Sequence, residues 1–164
     1  MRYLFIDRIL RLEANKQIIA IKNVALSDDV FLEHFVGYPV MPGALLIESL
    51  AQAGTALLEV STNFKKKALP VMIDQAKFRA LVRPGDQLKI TATIVSLDQA
   101  SAQMDGTIHL AERLVANAKL TFALKEADEF YPAKTRFWVE AVYDFWLKDE
   151  KLVGVNEAKE SRHV

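Results

Sequence analysis

The sequence predicts an α+β domain in which an antiparallel sheet of six strands wraps around one long central helix. Three observations lead to this expectation. The stretch from Ala44 to Leu58 is helix-forming and apolar around most of its circumference, and such a helix is normally buried. Six segments alternate apolar and polar residues, which is the pattern of half-buried antiparallel strands. A chain of 164 residues is also long enough for one domain with a real core.

The elements are expected in a simple order along the chain. Residues 4–13 and 17–23 form two strands joined by a turn, and the helix begins at about Gly43. Residues 69–79, 88–97, 102–110 and 114–124 supply four more strands. The alternation changes phase between Ile94 and Val95, which predicts a β-bulge there.

Composition removes several classes of function. Basic and acidic residues are equal at 21 each, so overall charge does not favour a nucleic-acid partner. There is no cysteine, and His109 and His163 lack metal-ligand spacing, so we predict no metal and no cofactor. The amino terminus lacks the apolar core of a signal peptide, and Glu48 and Gln52 make the helix a poor membrane span. We therefore expect a cytoplasmic protein.

A loop containing one histidine and two prolines leads into the helix. Pro39 and Pro42 fix φ and donate no backbone hydrogen bond. The first amides of a helix lack an internal partner and carry the positive end of its dipole, so the Gly43 amide is suited to polarise a carbonyl oxygen. Histidine, here His34, is the residue type best suited to act as a base near neutral pH, and Glu48 is a carboxylate that burial makes costly without a partner. A base, an acid and an oxyanion donor together suit removal of a proton beside a carbonyl.

The helix carries a polar row that fits two interpretations. Glu48, Gln52, Thr55 and Glu59 recur at i, i+4, i+7 and i+11, which places them on one face. A polar seam facing solvent or a second subunit would have the same pattern. The pattern alone leaves a functional and a structural role open.

The segment HFVGYPVMPGALLIESLAQ, residues 34–52, resembles the HFPGxPxxPGxLxxEAxAQ signature of FabZ-type 3-hydroxyacyl-acyl-carrier-protein dehydratases. The related FabA enzymes share the histidine and MPG portions but carry aspartate in place of Glu48. The resemblance continues at RYLFIDR (2–8), KNV (22–24), IDQAKFR (73–79) and RPGD (83–86), and so covers roughly residues 2–125. Val36 and Glu33 depart from the FabZ pattern, which usually has proline and glycine at these positions.

The resemblance implies a hot-dog fold and a dehydratase acting on a (3R)-3-hydroxyacyl chain carried by acyl carrier protein. It assigns His34 as the base, Glu48 as the acid and the Gly43 amide as the oxyanion donor. Phe35, Pro42 and Gln52 are expected to contact substrate. It also implies a homodimer, or a higher oligomer built from dimers, in which His34 and Glu48 meet from different subunits.

Basic residues suggest where an acidic carrier protein would dock. Six basic residues and one acid lie between positions 63 and 83. We predict carrier docking by charge complementarity at these residues: Lys65, Lys66, Lys67, Arg79 and Arg83.

The resemblance does not explain the last part of the chain. We predict a domain at 1–125 and an extension at 126–164, with an amphipathic aromatic helix at about 133–147 and a charged tail. The apolar side of this helix is expected to hold Phe137, Trp138, Ala141, Val142, Phe145 and Trp146. It either packs against the domain or a second subunit, or covers the acyl tunnel.

Three other functions fit the same sequence. A FabA-like enzyme would also isomerise the trans-2 product to cis-3, and a hot-dog thioesterase would use the carboxylate to activate water. A non-catalytic subunit would bind acyl carrier protein without turning over its cargo. Analysis of the reaction products separates all three from a simple dehydratase.

Overall fold

The computed structural model describes residues 4–131 and 136–148. Its strands are β1 (Arg8–Glu13), β2 (Gln17–Asn23), β3 (Lys66–Phe78), β4 (Gln87–Leu97), β5 (Ser101–Leu110) and β6 (Arg113–Glu126). Its helices are α1 (Gly43–Ser61) and α2 (Arg136–Leu147), with 3-10 turns at Asp29–Leu32 and Ala127–Glu129.

One antiparallel sheet, in the order β1-β2-β4-β5-β6-β3, surrounds α1. The helix buries Leu50, Leu57 and Leu58 completely against inward-facing strand residues such as Ile90 and Phe122. The expected six-stranded sheet around a central helix is thereby confirmed. By length and mean hydropathy (1.2) α1 could cross a bilayer, but 67% of its most apolar stretch is buried inside the domain, as befits a core helix.

The strand boundaries differ from expectation where side chains compete for the backbone. β1 begins at Arg8 rather than residue 4, because the Phe5 amide donates to the side chain of Gln52 instead of to a neighbouring strand. The predicted bulge is confirmed, since the pairing of β4 with β5 shifts between Ile94 and Ser96.

Strand β3 forms one edge of the sheet and carries large apolar side chains on its surface. It pairs with β6 alone among the described strands. Val71, Met72 and Ile73 are each more than half exposed, and Pro70, which has no N–H, is tolerated because this is an edge strand. An exposed apolar edge of this kind favours pairing with another chain.

Helix α2 packs on the domain with a face that only partly matches the predicted one, which Val142 and Trp146 share. Tyr143 and Trp146 are buried, whereas Ala141 and Phe145 are exposed, Phe145 by 68%. The prediction that Ala141 and Phe145 belong to the buried side is therefore wrong. The polar atoms of the buried pair are satisfied, because the phenol of Tyr143 and the indole N–H of Trp146 both find partners inside the domain.

Parts of the predicted extension lie outside the described residues. These are the proposed first turn of its helix at 133–135, the side chains of Phe137 and Trp138, and the charged tail from Asp149 to the end, which includes His163. The Arg2 and Tyr3 portion of the family resemblance also lies outside them.

Glu59, near the end of α1, is a buried carboxylate that ties α2 to the domain. It is 2% exposed. Tyr143 donates its hydroxyl to Glu59 Oε2 at 2.5 Å, and Lys67 Nζ lies 2.7 Å from Oε1. Burial lowers the pKa of Lys67, but its pairing with Glu59 outweighs this and leaves the pKa raised. Burial and the neighbouring Glu59 raise the pKa of Tyr143 well above its ordinary value.

We expect this cluster to make stability fall at alkaline pH. Both Lys67 and Tyr143 have a folded-state pKa above the unfolded one, so the stability they contribute is present below about pH 10 and is lost as pH rises through the folded-state values. Urea unfolding between pH 7 and 11 should show a shallower alkaline decline for Tyr143→Phe than for the wild type. Parallel declines would contradict the prediction.

Candidate active site

His34 lies at the end of the Asp29–Leu32 turn, half-buried, with its ring held by the backbone. Its Nδ1 is 2.7 Å from the carbonyl oxygen of Val40, and the Val40 amide donates back to the His34 carbonyl at 3.0 Å. A carbonyl oxygen only accepts, so Nδ1 carries the proton and the neutral ring keeps an unprotonated Nε2. Nε2, which the backbone does not engage, is therefore the nitrogen of His34 that can act as a base.

The chain between His34 and Val40 forms a tight turn with an exposed tip. Phe35 and Tyr38 exchange both backbone hydrogen bonds, at 2.9 and 3.3 Å, and Gly37 adopts a positive φ of 75° that favours glycine. Phe35 stacks on the His34 ring with centroids 4.0 Å apart. The Phe35 ring therefore supports the imidazole from one side while 55% of the residue stays exposed.

Neighbouring segments anchor this turn. The Met41 amide donates to the Val82 carbonyl at 2.8 Å. The Arg83 guanidinium lies over the Tyr38 ring, 4.2 Å from its centroid, as in a cation–π contact. Arg83 itself belongs to the predicted turn 83–86, which Asp86 closes by accepting from the Arg83 amide.

Gly43 is the first residue of α1, directly after Pro42, so its amide has no acceptor within the helix. A Cβ at this position would lie 2.9 Å from the ring of Phe78. Glycine therefore allows the close approach of the Phe78 ring to the start of α1, and a larger residue would push this ring away.

Glu48 and Gln52 form a hydrogen-bonded pair one turn apart on α1. Gln52 Nε2 donates to Glu48 Oε1 at 2.8 Å, and Gln52 Oε1 accepts from the Phe5 amide, also at 2.8 Å. Because the Phe5 N–H can only donate, it fixes which way the Gln52 amide faces. Gln52, expected to contact substrate, is placed to hold Glu48.

His34 and Glu48, the two candidate catalytic residues, are not hydrogen-bonded to each other within the described residues of one chain. Within the described residues the side chain of His34 contacts Val40 and Phe35, while that of Glu48 contacts Gln52, and no hydrogen bond links His34 to Glu48. Glu33, whose carboxylate could have disturbed the imidazole, is exposed. The rest of the polar row on α1 has another role, since Glu59 belongs to the α2 cluster.

The five residues predicted for carrier docking fall into two groups. Lys65, Lys66 and Lys67 lie where β3 begins, whereas Arg79 and Arg83 follow its far end. The 13 residues of β3 separate the groups by up to about 40 Å at roughly 3.3 Å per residue. The structure therefore does not bring them together into one surface.

Two of the three lysines already have acidic partners. Lys66 pairs with Glu126, and Lys67 with Glu59. By contrast Arg83 contacts the turn that follows His34. The arginine end of β3 is thus the basic group adjoining the candidate site.

The described residues contain no group of three or more His, Asp or Glu side chains placed to hold a metal ion.

A cavity of about 180 Å³ lies beside the start of α1. Its lining includes Phe31, Met41, Leu45 and the ion pair of Lys22 and Asp28. The ammonium of Lys22 is already neutralised there by Asp28 and by Asp7.

Sequence reasoning missed two supports of the site and one contact of the extension helix. Val40 acts through its carbonyl and Phe5 through its amide, and a backbone atom leaves no trace in residue type. Trp146 is aromatic like its neighbours in α2, so only the structure identifies it as the residue whose N–H reaches the amino-terminal segment.

Comparisons with known proteins agree on the family. A family model described as a FabA-like domain matches residues 1–122. A curated protein from Symbiobacterium thermophilum, named 3-hydroxyacyl-[acyl-carrier-protein] dehydratase FabZ, is 38% identical over 80% of this chain and 94% of its own length. A protein of the same name from Desulforamulus reducens is 41% identical over 74% of this chain and 87% of its own.

Solved structures share the fold at low identity. A dehydratase heterocomplex from Xenorhabdus doucetiae matches with a TM-score of 0.62 at 12% identity, over 84% of this chain and 90% of that one. A Streptococcus mutans protein bound to acetyl CoA matches with a TM-score of 0.59 at 18% identity, over 73% and 88%. These likenesses concern the architecture alone.

Proposed function

Because the chain belongs to the FabZ-type 3-hydroxyacyl-[acyl-carrier-protein] dehydratases of the FabA-like family, we propose that His34, Glu48 and the Gly43 amide carry out that reaction here. The function is the dehydration of a 3-hydroxyacyl chain on acyl carrier protein in fatty-acid biosynthesis. The proposed substrate is the (3R) epimer and the product the trans-2-enoyl chain.

The proposed reaction balances with two proton transfers. Nε2 of His34 takes the C2 proton while the Gly43 amide stabilises charge developing on the thioester oxygen. The electron pair left at C2 forms the double bond to C3, and the C3 hydroxyl departs as water with a proton from Glu48. The proton then passes from His34 back to Glu48 through solvent, which restores both groups.

The hydrogen bond from Nδ1 of His34 to the Val40 carbonyl is the observation that best supports this role. It fixes the ring orientation and keeps Nε2 unprotonated in the neutral ring. A structural histidine would be expected to spend both nitrogens on the fold, whereas here the described contacts engage only one.

The proposed assembly is a homodimer, or an oligomer built from dimers, that pairs subunits through β3. The exposed apolar side chains of that edge strand, among them Val71 and Ile73, support this. Phe78 at the end of β3 touches Gly43, so a second subunit on this edge would lie beside the helix start. A partner there would supply the Glu48 that His34 does not reach within its own chain.

A dehydration assay on 3-hydroxyacyl carrier proteins of several chain lengths tests the function. We expect trans-2-enoyl product and no free acid. Cis-3 product would instead indicate a FabA-like isomerase, and free acid without enoyl product a thioesterase. Carrier binding without turnover would indicate a non-catalytic subunit.

We further propose that the enzyme acts in the cytoplasm, where it would meet its carrier protein.

We expect carrier docking to depend on the arginine end of β3. Reversing charge in Arg79→Glu/Arg83→Glu should lower kcat/KM for the carrier-linked substrate about tenfold through weaker charge complementarity. Turnover of a small thioester analogue should fall much less, since its encounter needs no carrier surface and it responds only to loss of the Arg83–Tyr38 contact beside the turn after His34.

The matched control is Lys65→Glu/Lys66→Glu, which changes net charge equally at the other end of β3. It should leave both substrates nearly unaffected. Equal losses on the two substrates in the arginine variant, or a larger carrier-specific loss in the lysine variant, would contradict docking at the arginine end.

A further inference from the structure

We propose that Trp146 in the extension helix α2 is a positioning residue for Glu48, acting through the amino-terminal segment and Gln52. This inference rests on the proposed function, because it concerns the geometry of the proposed acid. The match to the FabA-like domain ends at residue 122. The proposed role therefore belongs to a part of the chain outside the matched domain.

The first step joins α2 to the amino-terminal segment. The indole N–H of Trp146 donates to the Ile6 carbonyl at 3.0 Å. Both residues are buried, Trp146 with 6% of its surface exposed and Ile6 with 2%. A buried carbonyl that loses its donor is costly, so this contact fixes Ile6 against the helix.

The second step joins the same segment to α1. The Phe5 amide donates to Gln52 Oε1 at 2.8 Å. Since β1 begins only at Arg8, residues 5 and 6 lie ahead of the sheet ladder, between α2 on one side and α1 on the other. The position of the Phe5 amide therefore depends on how α2 holds its neighbour.

The last step reaches the carboxylate. With Oε1 taken by Phe5, Gln52 must present its NH₂ group to Glu48, to which it donates at 2.8 Å. Oε1 of Glu48 is thereby engaged, so the proposal assigns the proton transfer to Oε2. A shift of the Phe5 amide would turn the Gln52 side chain and move Glu48 with it.

The chain offers a variant that breaks this path while keeping α2 in place. Tyr143, one turn before Trp146, attaches the helix independently through Glu59. Trp146→Phe keeps an aromatic ring and removes only the N–H and the second ring. Phe145→Ala is the matched control, because Phe145 is on the same helix and 68% exposed.

A structural measurement tests the path without relying on activity. Amide hydrogen exchange of Phe5, followed by NMR on the full chain, should be at least about tenfold faster in Trp146→Phe, because the segment that holds the amide loses its anchor. Phe145→Ala should leave it unchanged. Unaltered exchange in Trp146→Phe would overturn the proposal, whether or not the protein is a dehydratase.

A kinetic measurement tests the consequence for Glu48. Trp146→Phe should lower kcat about tenfold with KM within about twofold, since a misplacement of about 1 Å can cost about 10²-fold in rate. In a Gln52→Leu background, where the path is already cut, Trp146→Phe should have no further effect on kcat. Additive losses in the double variant would overturn the proposal. If the wild-type protein itself shows no dehydratase activity, the proposed function is refuted. The exchange experiment would still decide whether Trp146 controls the Phe5 amide.

Discussion

Replacing His34 by alanine is expected to lower the dehydration rate by about 10²–10⁴-fold, the range typical of general acid–base help. The loss corresponds to about 3–5 kcal/mol of transition-state stabilisation. The physical reason is that Nε2 of His34, which the Nδ1 hydrogen bond to the Val40 carbonyl leaves unengaged, is the proposed acceptor of the C2 proton. Steady-state kinetics on a 3-hydroxyacyl carrier protein measure the effect, and the loss should fall on kcat.

The neighbouring residue provides the control. Glu33 is exposed and adjoins His34 in sequence, and it transfers no proton in the proposed reaction, so Glu33→Gln should change kcat by less than about twofold. Thermal unfolding should show that His34→Ala remains folded. A His34→Ala protein that is folded and retains more than about a tenth of wild-type kcat would refute the base assignment.

Glu48→Gln is expected to cause a loss of similar size, and its activity should return when it is mixed with His34→Ala. The amide is isosteric and can still accept from Gln52, but it has no acidic proton for the departing hydroxyl. If sites are shared across a dimer, each mixed dimer has one site with both native residues and one with neither. Random mixing should then restore about a quarter of wild-type activity.

Unfolding and refolding the two variants together, or expressing both chains in one cell, produces the mixed dimers. Each variant alone, treated identically, is the control. No recovery above the single variants, in a mixture shown by mass spectrometry to contain mixed dimers, would place both groups in one subunit and remove the shared-site proposal.

Most of the architecture could be read from the sequence because the periodic signals are strong. The central helix, the six strands and even the bulge after Ile94 follow from where apolar side chains recur. The boundary at β1 could not, because whether residues 4–6 join a strand depends on Gln52, a residue 47 positions away from Phe5. Long-range side-chain contacts of this kind override local propensity.

The candidate site was less predictable than the fold. His34, Gly43 and Glu48 are visible as residue types, but their supports at Val40 and Phe5 are backbone atoms. The arginines and lysines near β3 looked like one charged surface, since proximity in sequence hides the length of an extended strand. In α2 the hydrophobic pattern favoured Trp146 and Phe145, but Tyr143 is buried in place of Phe145, and its hydroxyl finds a partner in Glu59.

The unpaired edge of strand β3 affects how the protein folds during its synthesis. A newly synthesised chain displays unpaired backbone groups beside Val71, Met72 and Ile73, and such an edge also recruits wrong partners. Productive pairing and aggregation then compete during synthesis. Cells that accumulate the chain slowly, at reduced temperature or from a weak promoter, should yield a larger fraction of it in usable form.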